Sequence, residues 1–349
     1  MEDSKKLSSG KKISFTLIFF IFIGLVLEVG VRIYYNSRAL SPNIYERYHM
    51  VRRPLYGFTM EPNLKDVKSK TLDTIFSTNK EGFRGVDVPV IPKPEGVFRI
   101  LCLGASNVFG YGVEDDQSTW PERVEQSLIK KGYKVESLNL GCPGTNSSQA
   151  LVFFSLIGKK YDPDLIIFYQ GWNDLTIFGF SYDKWTEHKI LSQESYYACE
   201  DWESYMAHIN DVSFPFKHSA ILFGYNRFKQ KLALSQPKKR LSESFYLKTY
   251  VQNLHHISVL AEDAPMVIVP IVKKGTENIS AGIDLLNEKA KEFSVNEENV
   301  HYWNFKSHLK NQLPEEEWFC DSYHFSQKSC MLLGQFLANK IEQQNWIKD

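Results

Sequence analysis

The sequence predicts an α/β protein: a parallel sheet with helices on both faces, preceded by one transmembrane helix. Two observations lead to this prediction. From Phe98 onward, short apolar runs alternate with longer stretches of helical pattern, which is typical of sheets built from β-then-α units. Near the amino terminus, residues 13–31 are largely apolar with Glu28 as the only charge. Together with residues 33–35 they reach the length of a bilayer-spanning helix.

Five strands are expected in the alternating region. The first, residues 99–103, is a β-forming apolar run that stops at Gly104. The other four are expected at residues 134–140, 165–169, 265–272 and 300–303. Helices are expected at residues 118–131, 147–160, 246–262, 283–293 and 326–344. Pro121 lies in the first turn of the first helix, where a missing N–H costs little.

Composition argues against several classes of partner and site. Lysine plus arginine equals aspartate plus glutamate at 41 each, so no net charge attracts nucleic acid. The five cysteines form no C-x-x-C motif and no Cys/His cluster, so no metal site is predicted. An odd number leaves at least one thiol unpaired. Outside the cytoplasm a Cys199–Cys320 disulfide is the expected pair, although the sequence leaves the connectivity open.

The amino-terminal span is interpreted as an uncleaved signal anchor, residues 13–35, after a cytoplasmic tail of residues 1–12. Four lysines precede the apolar run of residues 13–31, whereas only Arg32 and Arg38 closely follow that run. By the positive-inside rule the amino terminus is cytoplasmic and the rest of the chain lies outside, in a periplasmic or extracellular compartment. The alternative is a cleaved signal peptide. The apolar region is long for one, and no small-x-small cleavage site follows it.

Two further segments are distinguished. Residues 36–96 have mixed polarity and are interpreted as a membrane-proximal extension that packs irregularly on the main domain, residues 97–345. Three prolines between residues 89 and 94 mark the boundary. Inside the main domain, residues 175–245 interrupt the alternation and are rich in aromatic side chains. Such a long connection predicts either a lid over the strand ends or an insertion that packs on the surface, and both stay open.

Polar residues follow the predicted strands at the edge where parallel sheets bind ligands. Ser106 lies at the apex of the turn after the first strand, Gly144 and Asn173 follow the second and third, and Asp321 and His324 precede the last helix. A serine nucleophile needs a base such as imidazole, and a carboxylate holds that imidazole in the required tautomer. The N–H groups of Ser106 and Gly144 and the amide of Asn173 supply three donors for an oxyanion. Taken singly, each residue also fits a turn or a helix cap.

Order and spacing together resemble the SGNH/GDSL hydrolase superfamily. Its four blocks appear as Gly-Ala-Ser at 104–106, Asn-Leu-Gly-Cys-Pro-Gly at 139–144, Gly-Trp-Asn-Asp at 171–174 and Asp-Ser-Tyr-His at 321–324. Ala105 stands where the family name expects aspartate, which bears on subfamily and substrate more than on reaction type. The segment Asn-Lys-Glu-Gly-Phe-Arg at 79–84 is similar to one in membrane-anchored members.

The resemblance implies a flavodoxin-like, three-layer α/β/α sandwich with a five-stranded sheet of order 2-1-3-4-5. It implies Ser106 as nucleophile, His324 as base and Asp321 as the residue that orients the base. It further implies an oxyanion hole formed by Ser106, Gly144 and Asn173. No metal or organic cofactor is expected.

The expected function is that of a membrane-anchored serine esterase or deacylase that works through an acyl-enzyme outside the cytoplasm. The expected partner is an acyl ester, for example an O-acetyl group, on a glycan or a lipid. Two alternatives stay open. One is an O-acyltransferase that passes the acyl group to a cell-envelope glycan, and the other is a catalytically idle module that binds glycans through its aromatic residues. The acyl group, the acceptor and the oligomeric state are left open.

Overall fold

The computed structural model describes residues 9–37, 49–53, 57–69, 74–85, 89–179, 219–222, 225, 243–273 and 280–347. The strands are β1 (Met50–Arg53), β2 (Gly57–Met60), β3 (Val67–Lys68), β4 (Ile75–Phe76), β5 (Phe98–Gly104), β6 (Val135–Gly141), β7 (Leu165–Tyr169), β8 (Met266–Ile268) and β9 (Val300–Tyr302). The helices are α1 (Ser9–Ser37), α2 (Ser106–Phe109), α3 (Trp120–Ile129), α4 (Ser147–Leu156), α5 (Trp172–Gly179), α6 (Glu243–Ala261), α7 (Ser280–Asn296), α8 (Phe305–Gln312) and α9 (Gln327–Gln343). Contacts divide the chain into two units, residues 1–47 with 203–237, and residues 48–202 with 238–349.

The larger unit is organised around one parallel sheet. β5 pairs with β6 and β7, β7 pairs with β8, and β8 pairs with β9, which gives the order β6-β5-β7-β8-β9. Counted along the chain from β5, this is the order 2-1-3-4-5, so the predicted fold class and topology are confirmed. Gly104, Gly141 and Tyr169 lie side by side in register. The loops that follow β5, β6 and β7 therefore start at one edge of the sheet.

Helices cover both faces of the sheet because β5 is apolar on both. Ile100 and Cys102 belong to one buried cluster, together with residues of α3, α8 and α9. Leu101 and Leu103 belong to a second cluster, together with residues of α4, α6 and α7. Successive side chains of a strand point to opposite faces, so the alternation separates the two clusters. Burying each such side chain contributes about 1.5–3 kcal/mol, which makes the three-layer arrangement favourable.

Element boundaries differ from the prediction where a capping residue or a proline intervenes. The helix expected from residue 118 begins at Trp120, because Asp115 accepts a hydrogen bond from Ser118 N at 2.8 Å and closes a 3-10 turn first. The strand expected at residues 265–272 is only three residues long, since Pro270 has no N–H to donate to a neighbouring strand.

The described residues of the extension, which covers residues 36–96, include two small antiparallel sheets in the larger unit. β1 pairs with β2, and β3 pairs with β4. After β4, the Asn79 side chain accepts hydrogen bonds from the N–H groups of Glu81 at 2.9 Å and Phe83 at 3.1 Å. Gly82 has a φ of +84°, and a Cβ there would lie 2.4 Å from a carbonyl oxygen of β2. The turn around Asn79 therefore requires glycine at position 82.

The smaller unit contains α1, whose residues 10–34 are long and apolar enough to cross a membrane. Most of its described apolar side chains are exposed. Glu28 accepts hydrogen bonds from Ser219 Oγ at 2.8 Å, Ala220 N at 2.6 Å and Ile221 N at 3.2 Å. It also pairs with Arg32 at 2.8 Å. The charge within this apolar helix is thus fully hydrogen-bonded.

The aromatic-rich insertion at residues 175–245 is described only at its two ends and at residues 219–222 and 225. α5 leads into it, and α6 begins just before it ends. The expectation that it forms a lid over the strand ends lies outside the described residues.

Candidate active site

Ser106 is the first residue of α2, directly after the tight turn at Ala105 that follows β5 at the carboxyl edge of the sheet. A Cβ added to Gly104 would lie 2.2 Å from the carbonyl oxygen of Tyr169, so only glycine lets β5 end against β7. α2 is a single turn, and Gly110 ends it in the left-handed conformation at φ +82°. Ser106 occupies the first helical position, where a backbone N–H has no acceptor within the helix.

Ser106, His324 and Asp321 form a continuous chain of hydrogen-bonding groups. Ser106 Oγ lies 2.9 Å from His324 Nε2, and His324 Nδ1 lies 2.7 Å from Asp321 Oδ2. Asp321 Oδ1 accepts from the N–H groups of Tyr323 and His324 at 2.9 and 2.8 Å. Burial raises the pKa of Asp321, but the hydrogen bonds from His324 and from these N–H groups outweigh it and hold the pKa below its ordinary value. An ionised carboxylate therefore faces the imidazole.

Asn107, which no motif singled out, joins the turn that carries Ser106 to the turn that carries His324. Its Nδ2 donates to the Tyr323 carbonyl at 3.1 Å, and its Oδ1 accepts from Phe325 N at 2.9 Å. These two partners flank His324 on either side. One side chain next to Ser106 thus fixes the backbone that carries the imidazole. The available signal was an amide directly after Ser106, but asparagine in a turn usually has a local role.

Asn173 and Gly144, the two residues predicted to complete the oxyanion hole, differ in their position relative to the cavity beside Ser106. Asn173 lines the same cavity as Ser106, and its Nδ2 donates to the Thr145 carbonyl at 2.7 Å. Gly144 lies in a turn closed by a 3.3 Å hydrogen bond from Thr145 N to Cys142 O, and its φ of +86° fits the type II turn that Pro-Gly favours. Gly144 is not one of the described residues that line the cavity. It is connected to Asn173 through Thr145.

The cavity beside Ser106 is small, with a volume of about 20 Å³. Its described walls include Asn173, Trp172, Ile271 and Tyr323. The rings of Trp172 and Tyr323 stack with centroids 5.0 Å apart and planes at 21°. Both side chains are half-buried. The site therefore combines a narrow cavity with an aromatic wall between the Asn173 and His324 loops.

A buried carboxylate lies next to Asn173. Asp174 is fully buried, and it accepts hydrogen bonds from Ser147 N at 3.1 Å, from Ser147 Oγ and from Gln170 Nε2 at 3.5 Å. Asn253 donates to the same Ser147 hydroxyl at 2.8 Å. Burial raises the pKa of Asp174 to about 6, although the hydrogen bonds oppose the shift. This network, which no sequence pattern revealed, ties the start of α4 to the start of α5.

No group of three or more His, Cys, Asp or Glu side chains in the described part of the chain is arranged to hold a metal ion. Cys320 is a free thiol whose Sγ donates to the His324 carbonyl at 3.4 Å. The expected Cys199–Cys320 disulfide is therefore not formed, and Cys199 itself lies outside the described residues. Burial raises the pKa of Cys320 to about 11, so the thiol stays protonated near neutral pH.

Comparison with known proteins identifies the family. Residues 102–329 match the model of the GDSL-like Lipase/Acylhydrolase family, which is more than half of the chain. The chain belongs to this family, the resemblance seen in the sequence is confirmed, and the protein is an ester-hydrolysing enzyme. No match is found among curated proteins.

This chain is also similar, at low sequence identity, to solved structures of lipases and esterases. A lipase/acylhydrolase from Enterococcus faecalis is 16% identical, with 71% of this chain and 96% of that chain covered and a TM-score of 0.45. The psychrotrophic esterase EstA from Pseudoalteromonas sp. is 14% identical, with 70% and 97% covered and a TM-score of 0.43. A putative lipolytic protein of the G-D-S-L family from Desulfitobacterium hafniense is 13% identical, with 69% and 98% covered and a TM-score of 0.42.

Proposed function

We propose that the protein is a membrane-anchored serine esterase that removes short acyl groups, acetyl above all, from glycans outside the cytoplasm. Ser106 is the nucleophile, His324 the general base and acid, and Asp321 the residue that orients His324. The observation that carries the proposal is the chain of 2.9 and 2.7 Å contacts through the two ring nitrogens of His324. A serine hydroxyl donates to a neutral imidazole, whose other N–H donates to an ionised carboxylate.

In the first half-reaction Ser106 Oγ attacks the ester carbonyl carbon while its proton passes to His324 Nε2. The carbonyl π electrons move to oxygen and give a tetrahedral intermediate. When the intermediate collapses, the bond to the alcohol oxygen breaks and His324 returns the proton to that oxygen. The alcohol leaves, and the acyl group stays on Ser106. The Asp321 carboxylate stabilises the imidazolium that exists between the two proton transfers.

In the second half-reaction a water molecule takes the place of the alcohol. His324 removes a proton from the water as its oxygen attacks the acyl-enzyme, and the same proton is returned to Ser106 Oγ when the ester bond breaks. The carboxylic acid leaves and the free enzyme is restored. If a sugar hydroxyl takes the place of water, the same steps transfer the acyl group instead.

The proposed donors to the developing oxyanion are Ser106 N–H, Asn173 Nδ2 and Gly144 N–H. Ser106 N–H is supported by its place at the first helical position, and Asn173 by its place on the wall of the same cavity. Asn173 Nδ2 donates to the Thr145 carbonyl at 2.7 Å, and an amide nitrogen carries two hydrogens. The role of Gly144 rests on the family pattern. Each donor is expected to lower the barrier by about 2.7–4 kcal/mol.

The cavity volume supports a short acyl group. The cavity volume of about 20 Å³ is slightly larger than the roughly 10–15 Å³ that a cavity needs to hold one water molecule. A methyl group is comparable in size to a water molecule. A longer chain exceeds this volume, so it would have to extend beyond the cavity or move side chains that line it, such as Ile271 and Tyr323. Acetyl therefore fits better than a fatty acyl group.

The aromatic wall supports a glycan as the alcohol part of the ester. A sugar ring has an apolar C–H face and a rim of hydroxyl groups, which matches an aromatic surface that stands beside polar side chains. Trp172 and Tyr323 offer such a surface next to Asn173.

The membrane location is supported by the helix at residues 10–34 and by the four lysines that precede its apolar run at residue 13. A helix of this length spans the hydrocarbon layer, and basic residues stay on the cytoplasmic side. In the proposed topology the amino terminus is therefore cytoplasmic and the sheet domain lies outside.

Substitution of the nucleophile tests the proposal. Ser106→Ala removes the attacking oxygen with little change in volume, so we expect hydrolysis of p-nitrophenyl acetate to fall to the rate of the solution reaction. Ser155→Ala is the matched control, since Ser155 is an exposed serine on α4 that bonds only to its own helix. Its activity should equal that of the wild type, and both variants should unfold at the wild-type urea concentration.

Analysis of the products distinguishes hydrolysis from acyl transfer and from glycan binding without catalysis. Free acetate from an acetylated glycan supports the esterase, and acetate found on a second added glycan identifies a transferase. Unchanged hydrolysis by the Ser106→Ala variant would contradict the mechanism. Glycan binding by a wild-type protein that hydrolyses no ester would favour the idle binding module.

A further inference from the structure

Arg84 lies at the end of the turn around Asn79 in the extension. Its side chain contacts the carboxyl end of α2, the helix that begins at Ser106. Its Nη1 donates to the carbonyl oxygens of Phe109 and Gly110 at 3.0 and 2.7 Å, where α2 ends. The guanidinium carbon also lies 5.1 Å from the centre of the Phe109 ring. Arg84 is 6% exposed, so these contacts are shielded from water. A buried cation thus holds the carboxyl end of the helix that begins at Ser106.

The other two nitrogens of the guanidinium are hydrogen-bonded as well. Arg84 Nε donates to Asp116 Oδ1 at 2.7 Å, and Nη2 donates to the Ile75 carbonyl at 2.9 Å. Asp116 also accepts from Ser77 N at 3.1 Å. Four hydrogen bonds in a planar fork leave the guanidinium little freedom to turn. The position of Phe109 and Gly110 is therefore tied to the extension.

α2 depends on such external contacts because it is too short to satisfy itself. The carbonyl groups at the end of a helix have no partner within the helix, and in a one-turn helix this applies to nearly all of them. Trp120 Nε1 donates to Asn107 O at 2.9 Å, and Asn139 Nδ2 donates to Val108 O at 2.8 Å. Arg84 serves the last two positions, and it alone of these three donors is charged.

The extension contacts the same loop at two further points. Gly112 N donates to Thr74 Oγ1 at 2.7 Å. Tyr111 Oη and Ser69 Oγ are 2.8 Å apart in a buried hydrogen bond. The ring of Tyr111 lies 5.4 Å from the ring of His324. Contacts from the extension therefore reach the neighbourhood of the base as well as that of the nucleophile.

We propose that Arg84 is a positioning residue for ester hydrolysis: through the carbonyls of Phe109 and Gly110 it sets the place of Ser106 Oγ relative to His324 Nε2. The extension, on this view, is part of the catalytic apparatus rather than a spacer to the membrane. The proposal rests on the proposed function, because it takes Ser106 as the nucleophile. Phe109 follows Ser106 by three residues, about 4.5 Å along the helix axis, so α2 carries a shift at one end to the other.

The main variant is Arg84→Met, made in the full-length protein in detergent. Methionine keeps an unbranched apolar stem but has no N–H donors and no charge. The expected result is a fall in kcat on the order of 100-fold with KM little changed, since a misplacement of about 1 Å has an effect of this size on the chemical step. The rate at which a fluorophosphonate labels Ser106 should fall in parallel.

Arg99 provides the matched control, because it is a second buried arginine of the larger unit and lies on β5. It is 0% exposed, and it donates to Glu136, to the Tyr161 carbonyl at 2.7 Å and to the Val90 carbonyl at 3.1 Å. It lies near the start of β5, about 17 Å from the end that precedes Ser106. Arg99→Met is expected to lower the urea midpoint at least as much as Arg84→Met, yet to leave kcat of the folded protein unchanged.

Three outcomes decide the matter. A loss of kcat in Arg84→Met alone, at a temperature where both variants are folded, supports the proposal. Equal losses in both variants, or full kcat in Arg84→Met, overturn it and leave Arg84 a stability residue. If Arg84→Met does not fold, Arg84→Lys takes its place: lysine keeps the charge but not the fork, so kcat must still fall, and a wild-type kcat overturns the proposal. Activity retained by Ser106→Ala would instead reject the proposed mechanism, whatever Arg84 does.

Discussion

Replacement of Asn107 by alanine tests whether this side chain holds His324 at hydrogen-bonding distance from Ser106. The substitution removes the donor to the Tyr323 carbonyl and the acceptor for Phe325 N. Phe325 is 1% exposed, so water does not replace the lost acceptor. The backbone on both sides of His324 loses its link to the turn that carries Ser106.

The expected size of the effect follows from these two contacts. Each lost hydrogen bond costs about 0.5–1.5 kcal/mol and an unpaired buried N–H about 1–3 kcal/mol, so the free energy of unfolding should fall by about 2–4 kcal/mol. The imidazole is then free to move from its 2.9 Å contact with Ser106 Oγ. A displacement near 1 Å predicts a fall in kcat on the order of 100-fold. KM should change little, because Asn107 acts on the base and not on the leaving alcohol.

The assay compares kcat for p-nitrophenyl acetate at a temperature where urea titration shows each variant to be folded. Asn304→Ala is the control for stability alone. Asn304 caps α8 by accepting from Lys306 N at 3.0 Å, and loss of such a cap costs about 1 kcal/mol. Its kcat should equal that of the wild type. A wild-type kcat in folded Asn107→Ala would refute the reasoning.

Asp174, the cavity beside Ser106 and the amino-terminal helix each give a further prediction. The folded-state pKa of Asp174, about 6, lies above its ordinary 3.8, so the free energy of unfolding should decrease by about 3 kcal/mol as pH rises from about 4 to 6. Urea titrations should show this decrease in the wild type and a much smaller one in Asp174→Asn, and identical pH profiles would contradict the assignment. With p-nitrophenyl esters, kcat/KM for butanoate should lie about tenfold or more below that for acetate, since a methylene that does not fit costs about 1–3 kcal/mol; equal values would remove the argument for acetyl. The intact mass of protein purified from membranes should include the tail before α1, and loss of the first thirty-odd residues would identify a cleaved signal peptide.

The fold was predictable because its signals are local. The alternation of β5 between two apolar faces, and the glycine that ends it, indicate a buried parallel strand without reference to the rest of the chain. Boundaries were less predictable, since they depend on single groups. Pro270 shortens β8, and the Asp115 side chain delays the start of α3. Whether residues at the ends of an element join it is decided by such contacts and not by periodicity.

The candidate site was predictable to the extent that its residues follow strand ends. Ser106, Asp321 and His324 come together as expected, because the carboxyl edge of a parallel sheet gathers the loops that carry them. The groups that hold them there were not predictable. Asn107 contacts the backbone 216 positions further along the chain, and Arg84 contacts α2 from the end of the turn around Asn79. Such pairs leave no periodic or local pattern, and only the folded structure reveals them.

The most direct test of the central claim is the site of covalent modification by a fluorophosphonate. The probe reacts only with a serine whose hydroxyl is activated by a neighbouring base, so intact mass should show one adduct, and peptide mapping should locate it on Ser106. Ser106→Ala should take up no probe, and His324→Ala should react far more slowly than the wild type. An adduct on any other serine, or none on the folded wild-type protein, would contradict Ser106 as the nucleophile.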